Sequence, residues 1–204
     1  LTQRIRDQKV TPLFGRPDVQ AVETLDLPNQ DLAALIRTIP DYPKPGILFR
    51  DISTLMLDAE AFAMTIDRLA DGVSLHDFDL VAGIEARGFV FASALAYKLR
   101  RGKLMLRKRD KLPGVRVGVD YALEYGSDRL EMHADACAKG SRVLLVDDLL
   151  ATGGTAIAAV QLLRGNGADV QLASFVIDLP DLGGGARLRD MGVEARALVT
   201  FPGH

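Results

Sequence analysis

Two adjacent carboxylates, Asp147 and Asp148, follow the apolar run Val143-Leu144-Leu145-Val146, and shortly after them comes Thr152-Gly153-Gly154-Thr155. A short apolar run bounded by charge reads as a buried strand, with the acids at its abrupt end, and helical spacing begins at Thr155. In open α/β sheets, ligands bind beyond the carboxyl ends of strands, where the next helix starts. A loop of small residues there presents successive backbone N–H groups and two hydroxyls, and glycine lets an anion come close. The helix start adds partial positive charge, so a phosphate is the natural occupant. Ionised Asp147 and Asp148 only accept hydrogen bonds, which suits the vicinal hydroxyls of a sugar or a hydrated metal ion. Side by side at a strand end they repel each other unless a ligand or donor uses them, which favours a binding role over an ordinary turn.

Other nucleotide signatures are missing from the sequence. There is no Gly-x-x-x-x-Gly-Lys-Ser/Thr and no Gly-x-Gly-x-x-Gly, which disfavours a P-loop or a dinucleotide fold. Cys137 stands alone, so no intramolecular disulfide is expected, and a reducing cytoplasm is the simpler location. Nothing beside it would activate the thiol. His76, His133 and His204 lack metal-ligand spacing, so no structural zinc is expected.

The 204 residues carry 25 basic and 27 acidic side chains. A net charge of −2 gives no global reason to expect a nucleic acid or membrane partner. The distribution is uneven, however. Between residues 98 and 116, nine basic residues face Asp110 alone, which leaves 16 basic and 26 acidic residues elsewhere. Such an island either focuses a field on an anionic ligand or is a solvated surface, and spacing alone leaves both open.

The elements that must position these groups follow from patterning. At about 100–200 residues per domain the length suggests one domain, and 48% apolar with 25% charged residues is an ordinary globular balance. No apolar run reaches the roughly 18 residues of a membrane helix. The first residues, Leu1-Thr2-Gln3-Arg4-Ile5-Arg6, lack the apolar centre of a secretory leader. Residues 1–30, with Pro12, Pro17 and Pro28, read as an irregular extension to a single domain over 31–204. Leu32, Leu35, Ile36 and Ile39 predict a short helix over 31–39, stopped by Pro40. A second helix is predicted over 59–70, with Asp58 as N-cap and Gly72 near its end.

Apolar runs at 80–84, 143–146 and 170–177 predict buried strands. The first two are followed by helical stretches at 88–99 and 155–163, the signature of a mainly parallel sheet covered on both faces. Residues 103–132, with Leu104-Met105-Leu106, Pro113-Gly114 and an alternating stretch from Val115 to Val119, read as an inserted flap or hairpin over the site.

Four further motifs accompany the phosphate loop in order. They are Pro45-Gly46-Ile47-Leu48-Phe49-Arg50-Asp51-Ile52, Ala82-Gly83-Ile84-Glu85-Ala86-Arg87-Gly88-Phe89, Arg107-Lys108-Arg109-Asp110-Lys111-Leu112-Pro113-Gly114 and Tyr121-Ala122-Leu123-Glu124-Tyr125-Gly126. With them the chain resembles the type I phosphoribosyltransferases, and within these the branch that uses adenine. The resemblance runs from about residue 36 to 155, more loosely to 201, and leaves the first 30 residues uncovered. It implies a twisted, mainly parallel α/β sheet flanked by helices, with a flexible flap and a small N-terminal hood. It also implies a cytoplasmic homodimer that makes AMP and pyrophosphate from adenine and phosphoribosyl pyrophosphate. Mg²⁺ would be held mainly by substrate and water, with no nucleic acid or membrane partner.

The same resemblance implies residue roles. Asp147 and Asp148 bind the ribose hydroxyls, and Ala151, Thr152, Gly153, Gly154 and Thr155 hold the 5′-phosphate. Glu85, Ala86, Arg87, Arg107, Lys108 and Lys111 receive the pyrophosphate, with a cis peptide between Glu85 and Ala86 turning N–H groups toward it. Glu124, between Tyr121 and Tyr125, is the acid/base residue at a purine nitrogen, and flap closure would exclude water and raise its pKa. Leu48 and Arg50 contact adenine through their backbone while Leu149 packs on the ring. Phe49 is expected in the core.

Two other readings stand beside this one. A type I transferase for an oxopurine or orotate shares the phosphate loop but lacks the Tyr-x-Leu-Glu-Tyr-Gly and Pro-Gly-x-x-Phe-Arg-Asp motifs. A non-catalytic regulator that senses phosphoribosyl pyrophosphate would add a helix-turn-helix or an extended basic face. The first 30 residues, with Arg4, Arg6, Lys9 and Arg16, are too short and irregular for that.

Overall fold

A computed structural model describes residues 29–74, 76–122 and 126–203. Helix α1 (Gln30–Ala33) leads into an antiparallel pair, β1 (Arg37–Pro40) and β2 (Leu48–Asp51), which forms a separate two-stranded sheet, the hood. The helix predicted over 31–39 therefore stops after Ala33. Pro40 disfavours the helical conformation at Ile39, and β2 offers a partner that places Ile39 opposite Phe49 and Pro40 opposite Leu48. Leu32 and Ile36 are buried as the helical pattern required, whereas Ile39 is only half-buried.

Helix α2 (Ser53–Leu57), not anticipated from the sequence, precedes α3 (Ala59–Ala70), which lies where the periodicity put it. The Asp58 carboxylate accepts the N–H groups of Glu60 and Ala61, both at 3.0 Å, and so satisfies two otherwise unpaired donors of the first turn. Past the other end, Gly72 adopts φ +70, the left-handed conformation that lets the chain leave a helix.

The rest of the described chain builds one α/β layer structure. Its elements are β3 (Leu80–Ile84), α4 (Gly88–Lys98), β4 (Gly102–Lys108), β5 (Arg116–Ala122), β6 (Ser127–His133), β7 (Arg142–Leu150), α5 (Gly154–Gly165), β8 (Asp169–Asp178), α6 (Gly184–Asp190) and β9 (Glu194–Thr200). The sheet order is β5-β6-β4-β3-β7-β8-β9, with β4, β3, β7, β8 and β9 parallel and the β5–β6 hairpin antiparallel at one edge. Leu104-Met105-Leu106 thus belongs to the parallel sheet and not to an insertion, because β4 pairs with β3 from Gly102 to Leu106 and buries Leu104 and Leu106. The insertion proper is the shorter β5–β6 hairpin. Strand β9 carries no continuous apolar run, and it was not anticipated.

Residue alternation explains why β7 is apolar on both faces. Val143 and Leu145 point toward α5 and meet a cluster that includes Ala159, Val160 and Leu163. Leu144 and Val146 point toward α3 and α4 and meet Ile66, Phe91 and Leu95. Each strand face is covered by helix, as a parallel sheet requires. Gly83 on β3 lets α4 lie close, since a Cβ there would come within 2.6 Å of the Ala92 Cβ.

Candidate active site

Strand β7 does not end at the acid pair. It continues to Leu150, with Asp147 opposite Phe175 and Leu149 opposite Ile177 on β8. The neighbouring strand supplies the hydrogen-bond partners that carry two charged residues inside the sheet. Ala151, Thr152 and Gly153 then form the turn into α5. A cleft of about 250 Å³ opens at this end of β3 and β7, bordered by residues Glu85 to Arg87, by Lys108 and by the stretch from Asp147 to Ala156.

The loop is built to receive an anion. None of the N–H groups from Thr152 to Ala156 donates to an acceptor among the described residues, and the first helical bond runs from the Ile157 N–H to the Gly153 carbonyl at 2.8 Å. Five consecutive donors thus stand at the start of a 12-residue helix, where the helix dipole adds to their attraction for a phosphate. Gly153 has φ +82, and a Cβ there would lie 2.9 Å from the Gly184 Cα, so the turn tolerates only glycine. A second set of donors without a hydrogen-bond partner among the described residues, the N–H groups of Ala86, Arg87 and Gly88, marks the start of α4. The Glu85–Ala86 peptide bond is cis, as the resemblance implied.

Asp148 is buried, and Asp147 beside it is half-buried. Asp147 Oδ1 accepts the Asp148 N–H at 2.9 Å, and α4 presses so close that a Cβ on Gly88 would lie 2.5 Å from that same oxygen. Burial, followed by repulsion from Asp148, pushes the Asp147 carboxyl well above the usual carboxylate range. Burial also raises Asp148, against the pull of the Arg87 charge. Arg87 Nε is 3.0 Å from Asp148 Oδ2 but off the hydrogen-bond direction, which leaves that buried oxygen charge-paired and without a hydrogen bond. The pair is therefore short of donors, and hydroxyl groups are the donors that fit.

The remaining basic residues are less free than their number suggested. Five of the nine in the island form ion pairs within the protein: Lys98 with Asp67, Arg107 with Glu85, Lys108 with Asp128, Arg109 with Asp120 and Arg116 with Asp110. Of the island only Lys108 borders the cleft. Its Nζ lies 2.6 Å from Asp128 Oδ2 and also donates to the Tyr121 hydroxyl. Burial would lower its pKa, but these two partners outweigh it and hold the ammonium above the ordinary lysine range. The Glu85 carboxylate is engaged by Arg107 and by the Lys108 N–H, at 3.0 and 2.7 Å. Burial raises it, yet these donors prevail and keep it below the usual range. Lys111 is exposed and lies away from the cleft lining.

Of the three residues assigned to the base, Leu149 borders the cleft, while Leu48 and Arg50 do not. The Arg50 guanidinium lies 4.3 Å from the Phe201 ring centre, and its Nη1 donates to Thr38 Oγ1 at 2.6 Å. Phe49 is not a core residue. It is half-buried, meets Tyr42 edge-on at 5.2 Å, and has the Arg87 guanidinium 5.5 Å from its ring centre. Glu124 lies outside the described residues. The end of β5 does reach the loop, since a Cβ on Gly154 would be 3.5 Å from the Ala122 carbonyl oxygen.

Comparison with known proteins agrees with this geometry. The family described as phosphoribosyl transferase domain matches residues 53–190. The adenine phosphoribosyltransferase of Rhodopseudomonas palustris (strain BisB18) is 58% identical over 174 residues, covering 85% of this chain and 87% of the relative. The crystal structure of adenine phosphoribosyltransferase from Thermoanaerobacter pseudethanolicus superposes with a TM-score of 0.80 at 44% identity, over 84% of this chain and 99% of that one. The Saccharomyces cerevisiae enzyme, solved with an imino-altritol bisphosphate and adenine, gives 0.78 at 34% identity over 83% of this chain and 97% of that one. A site of free N–H donors beside an acid pair, carried on this sheet and matched over this length, identifies the chain as a member of the adenine phosphoribosyltransferase family, the purine-salvage enzymes that make AMP and pyrophosphate from adenine and phosphoribosyl pyrophosphate.

Proposed function

We propose the following division of labour in the transfer of the phosphoribosyl group to adenine. The N–H groups from Thr152 to Ala156, with the Thr152 and Thr155 hydroxyls, hold the 5′-phosphate, and the five unengaged donors are the observation that carries this reading. Asp147 and Asp148 accept the ribose hydroxyls, which relieves the shortage of donors around the buried pair. The N–H groups of Ala86 and Arg87, with the Arg87 guanidinium, face the pyrophosphate. As the bond from C1′ to pyrophosphate lengthens, positive charge grows on the sugar ring and negative charge on the leaving group, and fixed donors aimed at the leaving group lower that barrier. Lys108 joins them by exchanging Asp128 for pyrophosphate oxygens, while Arg107 and Lys111 act from outside the lining. The Glu85 carboxylate contributes by orienting Arg107. Phe49 and Leu149 offer apolar surface to the base, with polar contacts from the Leu48 and Arg50 backbone, and Glu124 manages the proton at a purine nitrogen.

Mg²⁺ fits this donor set. Two adjacent carboxylates, one with an unsatisfied buried oxygen, suit an ion that keeps several waters and is shared with substrate phosphates, and no group of three or more His, Cys, Asp or Glu side chains gathers among the described residues to form a cage. Asp147 and Asp148 would approach it through water or the sugar hydroxyls, and when bound it neutralises charge on the departing pyrophosphate. The working unit is residues 31–204, acting in the cytoplasm as a homodimer. Val90 and Tyr97, exposed and seven residues apart on one face of α4, support association of two copies.

The test is turnover of adenine, hypoxanthine, guanine and orotate, each with phosphoribosyl pyrophosphate and Mg²⁺. Turnover of adenine alone is expected. Turnover of orotate or an oxopurine instead would overturn the base assignment, and ligand binding without turnover would point to a sensor.

A further inference from the structure

We propose that Arg187, on α6, is a positioning residue that sets the direction of the Thr152–Gly153 peptide in the phosphate loop. The proposal rests on the reading that this loop holds the 5′-phosphate. In a planar trans peptide the carbonyl and the following N–H point in opposite directions, so fixing one aims the other. The Ala151 carbonyl accepts the Gly184 N–H at 3.1 Å, which turns the Thr152 N–H away from α6. The Thr152 carbonyl accepts from Arg187 Nη1, also at 3.1 Å, which turns the Gly153 N–H away from that guanidinium. Two successive loop peptides are thus aimed from behind by a helix that does not border the cleft.

The second of these peptides depends on Arg187 alone. Among the described residues neither its carbonyl nor its N–H has another hydrogen-bond partner. Its rotation is controlled in part by φ of Gly153, and glycine permits the reversed orientation that other residues resist. Reversed, the peptide would aim a carbonyl oxygen at the phosphate in place of a donor. The Ala151 peptide is held differently, through backbone contact so tight that a Cβ on Gly184 would lie 2.3 Å from the Ala151 oxygen. Arg187 therefore acts on affinity for the sugar phosphate and leaves the base end untouched.

The experiment compares wild type, Arg187→Ala, Arg187→Lys and Thr155→Val by calorimetric binding of ribose 5-phosphate, KM for each substrate, kcat and thermal melting. Losing one hydrogen bond of ordinary strength is expected to weaken ribose 5-phosphate and raise KM for phosphoribosyl pyrophosphate about fivefold in Arg187→Ala. KM for adenine and kcat should stay unchanged, and Arg187→Lys should recover most of the loss. If Thr155→Val weakens ribose 5-phosphate but Arg187→Ala does not, or if Arg187→Ala raises both KM values equally or lowers only the melting temperature, the positioning role is wrong. If Thr155→Val leaves ribose 5-phosphate binding intact, the loop reading itself fails and takes the role of Arg187 with it.

Discussion

Arg87 and Asp148 meet across the cleft with 3.0 Å between Nε and Oδ2, and the same guanidinium stands 5.5 Å from the Phe49 ring centre. One side chain therefore links the acid pair of β7 to the hood. The contact is asymmetric, with Asp148 nearly sealed from solvent and the arginine side chain 41% exposed. Asp148 needs Arg87 more than Arg87 needs Asp148, because only the carboxylate has lost its water.

Arg87→Ala should accordingly cost both stability and rate. Removing one partner of a fully buried pair costs about 3–5 kcal/mol, and the exposure of Arg87 reduces this to about 1 kcal/mol. On the role proposed for it, kcat/KM for phosphoribosyl pyrophosphate should drop about 100-fold or more, the usual cost of a lost donor to a charged transition state. Arg87→Lys keeps the charge but not the planar fork, so it should restore melting temperature better than turnover. Steady-state kinetics and thermal melting on the two variants decide the matter.

Asp147→Asn is expected to do the opposite to stability. The folded pKa of Asp147 lies above its unfolded value, so the carboxyl favours the folded state most at pH below the ordinary value of 3.8 and loses that contribution as pH rises through the raised pKa. In the ligand-free enzyme the pair is a liability wherever both carboxyls carry charge, because burial and mutual repulsion oppose the ionised form. The amide keeps an oxygen for the Asp148 N–H and removes the repulsion, so melting at pH above the raised pKa should rise by an amount equivalent to about 1 kcal/mol. The decline in stability as pH rises through that pKa should flatten as well. Affinity for phosphoribosyl pyrophosphate should fall at least about tenfold, as a ribose acceptor is lost. A variant that is no more stable than wild type at any pH, with an unaltered pH dependence, would show that the pair is not strained.

Several of these features could be read from the sequence, for local reasons. Helix α3 was legible because its cap, Asp58, and its exit, Gly72, lie within the segment itself. The turn from β7 into α5 was legible because small residues and a helix start are enough to define it. The end of β7 was not, since Asp147 and Asp148 look like a strand terminus until Phe175 and Ile177 on β8 supply the partners. The ion-pair partners of the basic island were hidden for a similar reason: Arg107 and Lys108 find their acids 22 and 20 residues away in sequence, one just past the end of β3 and the other on β6. Ile39 and Pro40 became a strand because β2 returns beside them. In each case the deciding contact was long-range.

Gly88→Ala tests how tightly α4 is seated on the acid pair. The new methyl carbon would fall 2.5 Å from Asp147 Oδ1 and 3.1 Å from the Val146 carbonyl oxygen, so the helix start must shift. Forcing one carbon into packed surroundings costs about 1–3 kcal/mol. The shift also moves the N–H groups of Arg87 and residue 88. Both a lower melting temperature and a rise of KM for phosphoribosyl pyrophosphate are expected, while KM for adenine should change little. Unaltered kinetics in a destabilised protein would detach this helix start from the pyrophosphate.

Glu124→Gln isolates proton transfer from binding. The amide has nearly the same shape as the carboxyl but cannot exchange a proton with the purine, and such groups contribute about 10²–10⁴-fold to rate. The Ala122 carbonyl, two residues earlier in the chain, borders the turn into α5. A fall in kcat of at least about 100-fold is expected, with KM for adenine and phosphoribosyl pyrophosphate within a few-fold of wild type. The limb of the pH–rate profile that reports the acid/base group should disappear with it. Should kcat instead hold while KM for adenine rises, Glu124 would be a contact to the base, and the proton would have to travel by another group.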